Sequence, residues 1–201
     1  MTATSPIPSP LELEQIRRAV RGAPVQHAPR ESRLAAVAAV VRQQAPGDAQ
    51  VLFIRRAEHE GDPWSGHMAF PGGRQDPDDA DALHTATRET LEELGLDLKR
   101  DARLIGPLEP IDAVARGKRV GLSIAPFVFE LSGDPELQPN YEVAEVLWAP
   151  LGPLLRGERD TKKRYVYESR TLHLPGYDVD GRVVWGLTYQ MLQNLKRVLS
   201  A

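Results

Sequence analysis

The chain's 201 residues suit one domain with appendages better than two full domains. With 41% hydrophobic and 26% charged residues it has the apolar material for a core. A net charge of −3 argues against nucleic acid or an anionic membrane as partner, and the lack of cysteine excludes thiol nucleophiles, cysteine-held zinc and disulfides.

Residues 1–8 read as a frayed tail rich in Pro, Ser and Thr, without the basic and apolar regions of a signal peptide. No apolar run reaches membrane-spanning length, so a cytoplasmic location is expected. Ser9-Pro10-Leu11-Glu12 has the form of a capping box with proline at the first helical position. It predicts a short helix to about Arg21, with Leu13, Ile16 and Val20 turned inward. A Pro- and Gly-punctuated linker over 22–33 follows, so residues 1–30 are read as tail and helix and 31–201 as one domain. Residues 34–42 and 50–56 are apolar runs rich in β-branched side chains, separated by the turn Ala45-Pro46-Gly47-Asp48, and read as a hairpin. Residues 57–81 form a long loop dense in Gly, Pro and Asp, a length usually kept for function. A helix from about Asp81 to Leu94 stops at Gly95, with Leu83, Thr87, Thr90, Leu91 and Leu94 as its core face. Strands are expected at 102–108, 122–130, 142–148, 165–174 and 182–185, with a short helix over 150–157. A final helix over 186–199 carries Leu187, Met191, Leu195 and Val198 on one side. Strands, a central helix, more strands and a last helix predict an α/β (α+β) fold, a three-layer α/β/α sandwich rather than a regular βαβ array.

The chemistry concentrates on the central helix. Glu89, Glu92 and Glu93 stand at i, i+3 and i+4, on one helical face. Three such carboxylates repel one another unless a cation compensates, and oxygen-only donors suit Mg²⁺ or Mn²⁺. Taken alone they describe a solvated acidic face more readily than a metal site. The preceding loop changes the balance. Phe70-Pro71-Gly72-Gly73 lets backbone approach another group closely or adopt positive φ, and Asp76-Pro77-Asp78-Asp79 leads acids toward the positive end of the helix dipole.

Together these residues resemble the Nudix box, G-x5-E-x7-R-E-U-x-E-E-x-G-U, where U is apolar. Gly73 opens the motif, and Arg88-Glu89-Thr90-Leu91-Glu92-Glu93-Leu94-Gly95-Leu96 matches its second half, with Thr90 at an apolar position. The stretch from Gly73 to Arg88 is one residue longer than the pattern, and Asp79 stands where the first glutamate belongs. The resemblance implies a Nudix α/β/α sandwich with a mixed β-sheet, here with an extra N-terminal helix. It implies that Glu89, Glu92 and Glu93, with the Gly72 carbonyl, coordinate Mg²⁺ or Mn²⁺, that Arg88 braces the glutamates, and that Glu89 or Glu92 acts on the attacking water. A further glutamate outside the box is common in the family, and Glu142 and Glu145 are the candidates.

Within the family, the segments 51–56 and 66–76 resemble coenzyme A pyrophosphatases, as does Val184-Trp185-Gly186-Leu187-Thr188. Ile54, Ala57 and Asp62 depart from that branch's pattern. The implied activity is hydrolysis of the pyrophosphate in a small-molecule nucleoside diphosphate derivative, with coenzyme A as the lead. NDP-sugars or ADP-ribose are alternatives, as is a non-catalytic Nudix-fold nucleotide-binding regulatory module. Arg55, Arg56 and Arg74 are candidate phosphate contacts because guanidinium forks match phosphate oxygens, with Phe70 and Gly73 beside them. The loop Arg116-Gly117-Lys118-Arg119, Trp64 and His67 are further candidates, each also readable as a solvated turn or a packing residue. Because relatives dimerise, a homodimer is an open option.

Overall fold

The first long strand, β1 (Arg33–Arg42), is apolar at nearly every position because both of its faces are covered. In the computed structural model, which describes residues 5–23, 33–61, 64–115, 118–167 and 170–201, Ala35, Val37, Ala39 and Val41 face one core, whereas Ala38 and Val40 face another. β2 (Gln50–Arg56) divides likewise, with Val51 and Phe53 on the first side and Leu52 and Ile54 on the second. The two cores define three layers. Against the first lie α1 (Leu13–Gly22), α4 (Leu151–Arg156) and α5 (Gly186–Leu199), through Ile16, Val20, Leu154, Met191, Leu192 and Leu195. Against the second lie α2 (Ala82–Leu94) and α3 (Leu98–Asp101), through Leu94 and Leu98. This is the expected α/β/α sandwich.

The sheet is mixed. β1 runs parallel to β7 (Lys118–Leu131), from Arg33↔Leu122 to Val41↔Glu130, while the other described pairings are antiparallel. β5 (Ala102–Pro107) and β6 (Ile111–Ala115) pair with β7, and β8 (Val143–Pro150) pairs with β2. A second antiparallel sheet holds β9 (Asp160–Tyr167), β10 (Arg170–Val179) and β11 (Arg182–Trp185) in the order β11-β10-β9. The strand expected over 165–174 is therefore two strands folded back on each other, with Leu172 opposite Tyr165.

The predicted hairpin exists, but its strands soon part. β1 and β2 pair only at Val41↔Val51 and Arg42↔Gln50. Between them enters the segment expected to be loop, as β3 (Met68–Ala69) on β2 and β4 (Gly72–Arg74) on β1. The Pro71 carbonyl accepts from Ala38 N at 2.8 Å, and Gln75 N donates to Leu34 O at 2.9 Å. The wedge thus takes up backbone groups that the diverging strands would leave unpaired.

At the N-terminus, α1 begins one turn later than predicted. Glu12, not Ser9, is the N-cap, and the capping box joins it to Gln15, whose Oε1 accepts from Glu12 N at 2.7 Å. The N–H groups that Ser9 would have capped are taken elsewhere, Leu11 N by Asp48 at 2.6 Å and Glu12 N by Gln15. Far from the wedge, the Asp48 carboxylate accepts from Leu11 N at 2.6 Å and from both Arg156 terminal nitrogens at 3.0 Å, and Arg156 also donates to Pro8 O at 2.8 Å. That fork ties the β1–β2 turn, the N-terminal segment and α4 together. Among the described residues, no helix is long and apolar enough to cross a membrane.

Candidate functional site

Helix α2 starts and stops where its sequence says. Asp81 caps it by accepting from His84 N at 2.7 Å, and Gly95 ends it at φ 65°, a left-handed position suited to glycine. Its buried face differs from the expected one. Thr85, Ala86, Thr87, Thr90, Glu93 and Leu94 are buried, whereas Leu91 is 49% exposed. Thr90 is tolerated in the core because its hydroxyl donates to Ala86 O at 2.7 Å. The three glutamates consequently sit in different surroundings: Glu93 is buried, Glu89 mostly covered and Glu92 half exposed.

Asp79 explains the altered first half of the motif. Its side chain is buried and both oxygens are engaged. Arg88 donates to it through Nε at 2.9 Å and Nη2 at 2.8 Å, Thr85 Oγ1 at 2.9 Å and Asp76 N at 2.9 Å. The Arg88 hydrogen bond holds the Asp79 carboxyl well below the usual carboxylate range, and the same bond raises Arg88. Fixed in this way, Arg88 reaches Glu89 at 3.0 Å, Glu92 at 3.2 Å and the Arg74 carbonyl at 3.2 Å. An aspartate is shorter than the motif's glutamate, and it reaches Arg88 from a junction one residue longer.

The glycines bring the wedge onto this helix. Gly72, at φ 144°, presses against β1 so closely that a Cβ would collide with the Ala36 carbonyl and Val37 Cα. A Cβ on Gly73 would lie 2.5 Å from the Glu89 carboxylate. Gly72 N donates to Glu93 Oε2 at 2.8 Å. Burial pushes the Glu93 carboxyl up to about 8, against the pull of the Gly72 hydrogen bond and the Arg56 charge. Burial also raises Glu89, opposed by Arg88 and reinforced by Glu92 and Glu142.

These groups open into a cavity of about 620 Å³, within the range of small-molecule sites. Of the residues singled out in the sequence, Arg56, Phe70, Gly72, Gly73, Arg74, Glu89, Glu92, Glu93 and Glu142 line it, with Trp64 and His67. Phe70 stacks on Phe53 with centroids 5.5 Å apart. Arg88 acts from behind the glutamates rather than on the cavity wall. Arg55 and Glu145 are not part of the lining: Glu145 bonds Arg55 at 3.2 Å and Arg182 at 2.6 Å, joining β2 and β8 to β11. Asp62, Arg116 and Gly117 lie outside the described residues, as do the side chains of Lys118 and Arg119. Among the lining residues that the sequence did not single out are Ala35, Val37, Leu122 and Ile124 from β1 and β7. Their only sequence signal was membership of apolar strands, which does not distinguish a cavity wall from a core. Trp185, Leu187, Thr188 and Met191 complete the far side.

As the side chains stand, no three acidic or histidine groups among the described residues converge on one point. Glu92 is turned to Arg88, and Glu93 to Gly72. The donor chemistry nevertheless fits a hard divalent cation. Every charged donor is a carboxylate, and four of them face one cavity, with Glu93 buried and Glu89 mostly covered.

A family model for the NUDIX domain matches residues 32–169, and the chain belongs to the Nudix hydrolase family. Among curated proteins, Schizosaccharomyces pombe C14C4.10c is 41% identical over 115 residues, covering 56% of this chain. The mitochondrial coenzyme A diphosphatase NUDT8 of Mus musculus is 33% identical over 147 residues, covering 71% of this chain. The chain spans 35% of the length of the first relative and 67% of the second. Among solved structures, the NUDIX domain of Shewanella oneidensis NrtR, complexed with ADP ribose, has a TM-score of 0.51 at 17% identity. That match covers 86% of this chain and 91% of the other, and it is a likeness of fold alone.

Proposed function

We propose that the chain hydrolyses the pyrophosphate of a nucleoside diphosphate derivative in the presence of Mg²⁺ or Mn²⁺, with a coenzyme A-type compound as the lead substrate. The observation that carries this reading is the set of four cavity-lining carboxylates, Glu89, Glu92, Glu93 and Glu142, of which Glu93 is held by Gly72 N, and Glu89 and Glu92 are braced through Arg88 by buried Asp79. The coenzyme A lead is supported by the coenzyme A diphosphatase activity of the NUDT8 relative and by the motif segments 51–56 and 66–76.

A pyrophosphate repels incoming nucleophiles with its own negative charge. Glu89, Glu92, Glu93, Glu142 and the Gly72 carbonyl are the groups that would hold the cation. When bound, the cation neutralises and orients the phosphates and makes water more acidic. Arg56 and Arg74, at the same cavity, supply donors to phosphate oxygens. Of Glu89 and Glu92, Glu89 is the better-placed proton acceptor because it is the more covered. As water adds to one phosphorus, the bridging P–O bond breaks, the water's proton passes to the carboxylate, and two phosphate monoesters leave. Arg88 fixes the carboxylates without touching the reacting atoms.

The test is a panel of coenzyme A, ADP-ribose, NDP-sugars and dinucleoside polyphosphates with Mg²⁺ or Mn²⁺, products identified by mass. Cleavage of coenzyme A at its pyrophosphate, into a pantetheine phosphate and adenosine 3′,5′-bisphosphate, is expected. A preference for another member of the panel would replace the lead substrate. Turnover of none, or near-wild-type turnover by Glu93→Gln, would overturn the reading.

A further inference from the structure

The cavity has two unlike ends. One carries the carboxylates, Gly72, Gly73, Arg56 and Arg74; the other runs between the sheet and α5 and is bounded by Ala35, Val37, Leu122, Ile124, Leu187 and Met191. The second end is visible in the strands themselves. On the same face of β1, Ala39 and Val41 are 1% and 0% exposed, whereas Ala35 and Val37 keep 6% and 9%. On β7, Leu122 and Ile124 each keep 7%, while Val128 has none. These four side chains keep a little exposure where strand and helix leave a slot.

The polar groups that border this slot are already engaged. The Thr188 hydroxyl donates to the Met68 carbonyl at 3.0 Å. The backbone of Ala35 and Val37 lies between paired strands on both sides, β4 and β7. Against these aliphatic side chains a nucleobase would set its ring nitrogens and amino group, whereas Arg56, Arg74, Trp64, His67 and Trp185 offer it polar and aromatic partners on the same cavity wall. A sugar would leave several hydroxyls unsatisfied in the same way. An aliphatic chain loses nothing and gains the burial of its methylenes.

Resting on the pyrophosphatase reading above, we infer that the slot between β1, β7 and α5 is a specificity site that takes an uncharged, extended and largely apolar arm attached to the substrate's diphosphate, and that Leu122, Ile124, Leu187 and Met191 select for that arm. The slot is continuous with the carboxylate end, so one molecule can occupy both, its phosphates at the glutamates and its arm under α5.

A matched pair of probes tests this: adenosine diphosphate carrying either a methyl or an octyl ester on its terminal phosphate. The octyl ester is expected to show a KM about tenfold or more below that of the methyl ester. In Leu187→Gln and Met191→Gln, close in size but polar, the ratio between the two esters should shrink toward one. Equal KM values in the wild-type protein, or an undiminished ratio in both folded variants, would overturn the inference. Binding is read separately by tryptophan fluorescence, because Trp64 and Trp185 line the cavity. If neither ester nor any member of the substrate panel is hydrolysed, the pyrophosphatase reading fails. Tighter binding of the octyl ester by fluorescence then still supports the slot, and equal binding of the two rejects it.

Discussion

Two aspartate–arginine forks hold this molecule, and they differ in what the arginine does with its remaining donors. Asp79 and Asp48 each lie in a loop, accept two bonds from an arginine on a helix, and accept a backbone N–H. Arg156 turns its other contacts to Pro8 O and Glu158, closing the chain's N-terminal segment onto α4. Arg88 turns its own to Glu89, Glu92 and the Arg74 carbonyl. The same local chemistry thus fastens a scaffold at one end of the sheet and aims carboxylates at the other.

The comparison can be broken in order of expected effect. Glu89→Gln should lower turnover by about two to four orders of magnitude with circular dichroism unchanged. Less than a tenfold loss would remove Glu89 from the chemistry. Asp79→Asn should act on both levels. An outer partner of a ligating group is worth about 10- to 100-fold in activity, and breaking a buried ion pair costs about 3–5 kcal/mol. Calorimetry and kinetics on one preparation measure both. Asp48→Asn should cost about 2 kcal/mol, a Tm drop of roughly 4–8 °C, and leave kcat within about twofold. If kcat fell as far as in Asp79→Asn, the division into scaffold and aiming forks would be wrong.

Asp48 also gives the protein an acid dependence of known sign. Hydrogen bonds from Arg156 hold its folded-state pKa below the unfolded value. The unfolded chain therefore protonates first as pH falls. The stabilisation is complete above about pH 5 and fades as pH drops through the carboxylate range. Denaturant unfolding between pH 3 and 6 should show a shallower slope in Asp48→Asn than in the wild type; equal slopes would show that the fork carries no such linkage. Smallest of all, Leu91→Ala should change stability by less than about 0.5 kcal/mol, because Leu91 stands outside the core. A loss above 2 kcal/mol would show that this helix face is covered in solution.

The sequence made much of the site legible, and the reasons for the rest are physical. Helix α2 was readable from Asp81 to Gly95 because cap and stop are local signals. The pairing of glycines with glutamates was readable because the motif spans both. The inward face of α2 was readable in part: Thr87, Thr90 and Leu94 are buried as expected, whereas Leu91 is exposed and Glu93 is buried by virtue of a backbone partner that periodicity does not register. Asp79 was identified as standing in the motif's place, but its role depended on reaching Arg88 across a lengthened junction. The short strands β3 and β4 were invisible because their Gly and Pro content signals a turn, and only the parting of β1 from β2 makes them strands. The division into β9 and β10 went unseen because Tyr165, Val166 and Leu172 read as one apolar run.

That parting has a consequence for engineering. Because Met68–Ala69 and Gly72–Arg74 are stitched into the sheet on both sides, the glycine turn inherits the rigidity of the core rather than that of a surface loop. The amides of Ala38 and Gln75, bonded across the wedge, belong among the slowest to exchange with deuterium. Changes of length are best absorbed upstream, around residues 57–61, where the backbone has not yet entered the sheet. A single insertion between Met68 and Arg74 would shift the register on two strands at once and carry the carboxylate platform with it.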